Sequence, residues 1–143
     1  MKKLAIFFAI IVLIICVIFG LYLNYKVQYN TSKKANLSFE NYLNEEVYGT
    51  DLATVINRAI DSNEKNEVER NNKGIYLNND VNSISIEVKM IDNDSIYQME
   101  TIYNKGIRDF IQYYGDIKFK CTDIKYHIST NKVKYMLFEQ ITQ

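Results

Sequence analysis

Twenty consecutive residues, Leu4 to Leu23 (LAIFFAIIVLIICVIFGLYL), carry no charge, and no other feature constrains the chain as tightly. At a rise of about 1.5 Å per residue, a helix of this length spans roughly 30 Å, the thickness of a bilayer's hydrocarbon core. Lys2 and Lys3 precede the run, and Tyr22, Tyr25, Lys26 and Tyr29 mark its far end. Aromatic and lysine side chains at that depth suit the interfacial belt. The pattern predicts a single N-terminal transmembrane helix within residues 1–24, with the lipid bilayer as partner.

A cleaved secretory signal is the competing reading. Such signals have apolar regions of about 7–15 residues followed by a small-x-small cleavage site. Gly20-Leu21-Tyr22-Leu23-Asn24 offers no such site. Leu13-Ile14-Ile15-Cys16 only loosely resembles a bacterial lipoprotein box, because Ile15 stands where a small residue is needed. Cys16 therefore reads as an apolar side chain in lipid. Lys2 and Lys3 favour a cytoplasmic N-terminus, whereas Lys26, Lys33 and Lys34 oppose it. A short basic leader before a long apolar run is the usual export pattern. The expectation is a single-pass cell-membrane protein with its soluble domain extracytoplasmic.

The 143 residues leave one domain's worth once the anchor is set aside. Residues 25–36 form a juxtamembrane helix extension or spacer, and 37–143 a soluble domain. Setting aside Lys2 and Lys3 leaves 15 basic against 17 acidic side chains. No basic stripe is available to track a phosphate backbone, which argues against nucleic acid as a partner. Isoleucine, asparagine, lysine and tyrosine dominate and proline is absent, a bias that fits an AT-rich bacterial genome.

Within the domain, Phe39, Leu43 and Val47 recur at helical spacing, and Tyr48-Gly49 breaks the pattern. Thr50 is placed to cap a second helix, along which Leu52, Val55, Ile56, Ala59 and Ile60 form an amphipathic stripe. Asn71-Asn72-Lys73-Gly74 reads as a turn joining short strands near 66–70 and 75–78. Ile84, Ile86, Val88 and Met90 alternate with polar residues, which predicts a strand with one buried face. Residues 95–114 fit a helix that Gly106 weakens and Gly115 ends. Ile117, Phe119 and Cys121 alternate in one phase and Ile124, Tyr126 and Ile128 in the other, so a bulge is expected near Thr122-Asp123. Ser129–Lys132 turns the chain into a last strand over 133–140. The order implies an α+β fold: helices packed on a mostly antiparallel sheet.

No catalytic, metal-binding or cofactor-binding pattern stands out. His127 and Cys121 share a strand, but six residues along it span about 20 Å, too far for a thiol–imidazole pair. With Ile124, Tyr126 and Ile128 facing the core, His127 is expected to face solvent. Cys121 reads as a buried free thiol. Asp92-Asn93-Asp94-Ser95 lacks the glycine and later glutamate of a calcium loop and reads as a turn, as does Asn78-Asn79-Asp80. The five glycines stand singly, so no phosphate loop exists. Asn30-Thr31-Ser32 and Asn36-Leu37-Ser38 match the glycosylation triplet, which carries little meaning in a bacterial chain.

The one unusual enrichment is tyrosine, with 12 copies. Tyr97, Tyr103, Tyr113 and Tyr114, together with Tyr126, are candidates for a contact surface, since the phenol ring is both apolar and a hydrogen-bonding group. Core filling by the same rings is the plainer alternative. The expected function is that of a non-catalytic, membrane-anchored protein-interaction or envelope-assembly component, with an envelope protein as partner and no small-molecule ligand identifiable. An apolar helix leading into an amphipathic one and then a sheet is similar in plan to type IV pilin-like proteins, which implies a structural subunit as the alternative. That family's processing glycine and the glutamate just inside its helix are absent from this chain. A small enzyme or ligand sensor with no recognisable motif is the third reading.

Overall fold

The computed structural model describes residues 2–92 and 95–142. Asn93 and Asp94 of the Asp92–Ser95 turn lie outside the described residues. The order is α1 (Lys2–Glu40), β1 (Glu46–Tyr48), α2 (Gly49–Lys65), β2 (Ser85–Lys89), β3 (Ile96–Gln98), α3 (Met99–Tyr114), β4 (Lys118–Tyr126) and β5 (Val133–Gln140). The fold is α+β, with one N-terminal helix long and apolar enough to cross a membrane. The strands form one five-stranded sheet in the order β1-β4-β5-β2-β3. It is mixed rather than wholly antiparallel, because β2 and β5 pair in parallel while the other three pairings are antiparallel.

α1 is unbroken over 39 residues, so the polar stretch after Leu23 continues the helix. None of its side chains from 3 to 31 is buried, but Ser32, Asn36 and Phe39, spaced at i, i+4 and i+7, are. That stripe rests on the domain, where α1 packs against β5 and α2. The asparagine is the centre of the contact. Asn36 Nδ2 donates to Asn131 O at 2.8 Å, and Asn36 Oδ1 accepts from Val133 N at 2.9 Å. One turn earlier, Ser32 Oγ donates to Thr130 O at 2.6 Å. The side-chain amide thus satisfies backbone groups where β5 begins, a place that the sheet ladder leaves unpaired.

The helix ends at Glu40 rather than continuing through Val47 as the spacing of Phe39, Leu43 and Val47 predicts. Asn44 adopts φ 62°, which turns the chain, and Val47 enters the core from β1 opposite Phe119. Thr50 does not cap α2 either. That helix starts one residue earlier, at Gly49, whose backbone lies against the end of α3; a Cβ there would fall 1.9 Å from Tyr114 O. Only glycine permits the approach, and Thr50 N then donates to Gly115 O at 3.3 Å.

α2 buries Leu52, Val55, Ile56, Ala59 and Ile60, the predicted stripe, and β2 buries Ile86 and Val88 with Ile84 and Met90 flanking them. α2 and α3 cover one face of the sheet. The other face carries charged and phenolic pairs, among them Tyr135 OH to Glu87 at 2.8 Å and Lys118 Nζ to Glu46 at 3.1 Å. Asn63, fully buried on α2, makes a second amide clasp. Its Nδ2 donates to Ile84 O and its Oδ1 accepts from Ile84 N, each at 2.8 Å. The strands expected near 66–70 and 75–78 reduce to one bridge, Arg70–Tyr76, across a turn in which Gly74 has φ 75°.

β4 carries the expected register shift between Cys121 and Asp123, and a second one between Lys125 and Tyr126. The second shift reverses the predicted phase. His127 is buried and Ile128 is fully exposed, the opposite of the alternation. The His127 Nε2 lies 2.7 Å from Ser83 O, where it donates, while Nδ1 meets no partner among the described residues.

Cys121 is a buried free thiol. Burial pushes its pKa from the ordinary 9.0 up to about 11. The unfolded chain releases this proton near 9 and the folded chain holds it to higher pH, so stability falls as pH rises from about 9 to about 11. Tyr76, Tyr126 and Tyr135 are raised by burial and add to the same decline. Denaturation midpoints of the full chain in micelles are expected to drop through that window, and less steeply for Cys121→Ala. A wild-type profile parallel to that of Cys121→Ala contradicts the assignment.

Candidate functional site

α3 fixes the site. Its apolar positions Met99, Ile102 and Phe110 enter the core, which leaves the flanking aromatic positions at the surface. Midway along, Gly106 takes φ 117° and ψ 109°, outside helical geometry, and kinks the helix. That region is open to glycine and costly for any residue with a Cβ. The kink opens a cleft of about 440 Å³ between α3, β3 and Met90. Its walls include Tyr97, Tyr113, Tyr114, Phe110 and Met90, with Lys105 and Asp109 at the rim.

Three of the four candidate tyrosines therefore converge. Tyr97 comes from β3, and its ring lies 5.8 Å from Lys105 Nζ. Tyr114 stacks on Phe110 with centroids 5.4 Å apart, and Phe110 in turn backs onto Phe119 in the core at 6.2 Å. Tyr113 is 73% exposed and stands over the opening. Tyr103 belongs to α3 but does not line the cleft. Tyr126 is elsewhere, half-buried beside Glu40 of α1, where burial and that carboxylate raise its pKa. Met90, Lys105, Gly106 and Asp109 escape sequence reasoning as site residues; a glycine inside an otherwise amphipathic helix is the one local signal that marks the place.

The cleft lies at one end of the domain. Contacts climb α1 while descending β4: Ser32 meets Thr130, Glu40 meets Tyr126, and Leu43 bridges to Cys121. The β4–β5 turn is accordingly the end nearest the apolar half of α1. β2 and β5 both run away from that turn, so Met90 sits at the opposite end. Tyr114 sits there too, where its carbonyl accepts from Ile117 N just before β4 begins. Eight residues separate Lys118 from Tyr126, roughly 26 Å at about 3.3 Å per residue.

A volume of this size with aromatic walls and one charge of each sign can hold an apolar or aromatic side chain, or a short peptide segment. No histidine or cysteine is among its lining residues. Among the described residues no group of three or more His, Cys, Asp or Glu side chains is placed to hold a metal ion. The two residues weighed as a thiol–imidazole pair have separate partners, Cys121 Sγ lying 3.7 Å from Asp123 O and His127 binding Ser83 O.

Gly106→Ala is expected to lower stability by about 1–3 kcal/mol, the usual cost of a Cβ in a sparsely allowed backbone region. The added methyl also meets Asp109 Oδ2 at 3.1 Å. Thermal unfolding of the full chain checks this, and an unchanged midpoint contradicts the kinked conformation. No protein-family model, curated protein or solved structure matches the chain.

Proposed function

We propose that this chain is a single-pass membrane protein whose domain stands on the extracytoplasmic side and binds another envelope protein, without catalysis, through the aromatic cleft between β3 and α3. The observation that carries the reading is the convergence of Tyr97, Tyr113 and Tyr114 on one cleft, at the end of the domain remote from the apolar half of α1. Tyrosine gives large contact area with few rotatable bonds, which favours it at binding surfaces. The exposed apolar side chains of α1, from Leu4 to Leu23, support the anchor. The unbroken helix then holds the cleft at a fixed height above the bilayer.

A photo-crosslinking residue in place of Tyr113, in the full chain in its own cells, tests the proposal. A discrete envelope-protein adduct, lost when Tyr97→Ala is added, is the expected result. Tyr113 is exposed, so the variant should fold normally, with stability within about 0.5 kcal/mol of wild type. Absence of any adduct under conditions where the chain is present in the membrane would overturn it.

The pilin-like alternative draws on one observation, the continuity of α1 from its apolar half onto the sheet. A subunit of that plan would be recovered in sheared filaments and cross-linked ladders. Monomers alone, in the membrane and under shear, would remove it.

A further inference from the structure

The end of the domain nearest the apolar run carries a fully exposed apolar side chain. Ile128, at the start of the β4–β5 turn, has a relative exposure of 105%. It lies beside Tyr25, Gln28 and Tyr29 of α1, with which it lines a shallow recess. Tyr25 and Tyr29 are two and six residues beyond Leu23, about 3 and 9 Å along the helix at roughly 1.5 Å per residue. The polar layer on each side of a bilayer is about 5–7 Å thick, from the difference between total and hydrocarbon thickness. Ile128 therefore falls at the depth of the headgroups if Leu23 marks the hydrocarbon boundary.

The turn is held in that position. Ser32 and Asn36 fix it to α1, Thr130 Oγ1 donates to Val81 O at 2.6 Å, and Ser129 Oγ donates to Asp80 O. These hydroxyls bring a second loop to the same end, where Val81 is half exposed. Lys26 on α1, three residues beyond Leu23, supplies positive charge at this level, which complements anionic headgroups.

We propose that the β4–β5 turn, led by Ile128, is a second membrane contact that inserts into the headgroup layer of the bilayer crossed by α1. The proposal rests on the anchor reading above. Its partner is the lipid surface, because the helix that fixes the turn also fixes its distance from the apolar run. Two contacts, one through the bilayer and one on it, would set the tilt of the domain as well as its height.

Nitroxide labels placed one at a time by Ile128→Cys, Val12→Cys and Gln112→Cys test this in the full Cys16→Ala chain, in phosphatidylcholine–phosphatidylglycerol vesicles. Cys121 is enclosed and leaves the labelling specific. Relaxation by oxygen against a water-soluble nickel chelate reads the depth of each label. The expected result is a severalfold higher oxygen-to-nickel ratio at 128 than at 112, with 12 highest. A lipid-like value at 12 with equal aqueous values at 128 and 112 overturns the second contact and leaves the anchor standing. Aqueous values at all three positions overturn both. Spin–spin broadening at 128 that vanishes on dilution with unlabelled chain would place a second copy on the turn instead of lipid, and would also overturn the proposal.

Discussion

Phe119→Ala is expected to destabilise the domain by about 3–5 kcal/mol, the range for truncating a buried aromatic side chain. Phe119 has no exposed surface, lies opposite Val47 across β1 and β4, and contacts the ring of Phe110 at 6.2 Å. It therefore joins the edge strand β1, its neighbour β4 and the helix that forms the cleft. Total stabilities of domains this size are about 5–15 kcal/mol, so one such loss removes a fifth or more of the total. Because Phe110 also stacks on Tyr114, the cavity is expected to loosen the cleft wall. Chemical denaturation of the full chain in micelles gives the stability change, and Phe119→Leu should retain most of it. A loss below about 1 kcal/mol would contradict the close packing described for this core.

Asn36→Ala carries the second-largest expected effect, about 2–4 kcal/mol, because one buried and one part-buried backbone group lose their partners at once, the buried one at a cost of roughly 1–3 kcal/mol. Val133 N and Asn131 O are the groups left unpaired. The substitution separates α1 from the domain without touching the apolar run. Thermal unfolding should register the loss, and proteolysis between residues 24 and 45 should accelerate. Asn36→Asp should not rescue it, since a carboxylate can accept from Val133 N but would face Asn131 O with like charge. Ser32→Ala removes one hydrogen bond in the same contact, and about 1 kcal/mol is expected. Equal stability of wild type and Asn36→Ala would mean that the helix merely lies near the domain.

The parts of the fold written in local periodicity are legible in the sequence. Ile84 to Met90 alternate and form a strand, Leu52 to Ile60 repeat at helical spacing and form α2, and residues 133–140 form β5 as their pattern predicts. β1 and β3 have three residues each, too few for a period, and they exist as strands through pairing with β4 and β2. Leu43 and Val47 repeat helically, yet the turn at Asn44 places them otherwise. The bulge at Cys121–Asp123 follows from the change of phase between Phe119 and Ile124. The shift at Lys125–Tyr126 has no such mark, so the burial of His127 and the exposure of Ile128 reverse the pattern.

The site was legible as composition and not as geometry. An excess of tyrosine is visible in the sequence. That Tyr97, Tyr113 and Tyr114 meet while Tyr103 and Tyr126 stand apart depends on the kink at Gly106 and on β3 lying beside β2. Asparagine follows the same logic. Asn71 and Asn79 cap turns as the residue type predicts, with Asn71 Oδ1 accepting from Lys73 N and Asn79 Oδ1 from Val81 N. Asn36 and Asn63, within helices, act instead as side-chain amides that complete the sheet's backbone hydrogen bonding, a use that spacing alone cannot reveal.

The Ser32 and Asn36 contacts are expected to make α1 and the domain move as one body, so that whatever seats the helix also aims the cleft. Electron–electron distance measurement between nitroxides at Lys26→Cys and Thr122→Cys, in the Cys16→Ala chain reconstituted in lipid nanodiscs, tests it most directly. A single narrow distance distribution, broadened by Asn36→Ala, is the predicted result. A broad distribution in the otherwise unaltered chain would show a hinge after residue 26 and contradict the account.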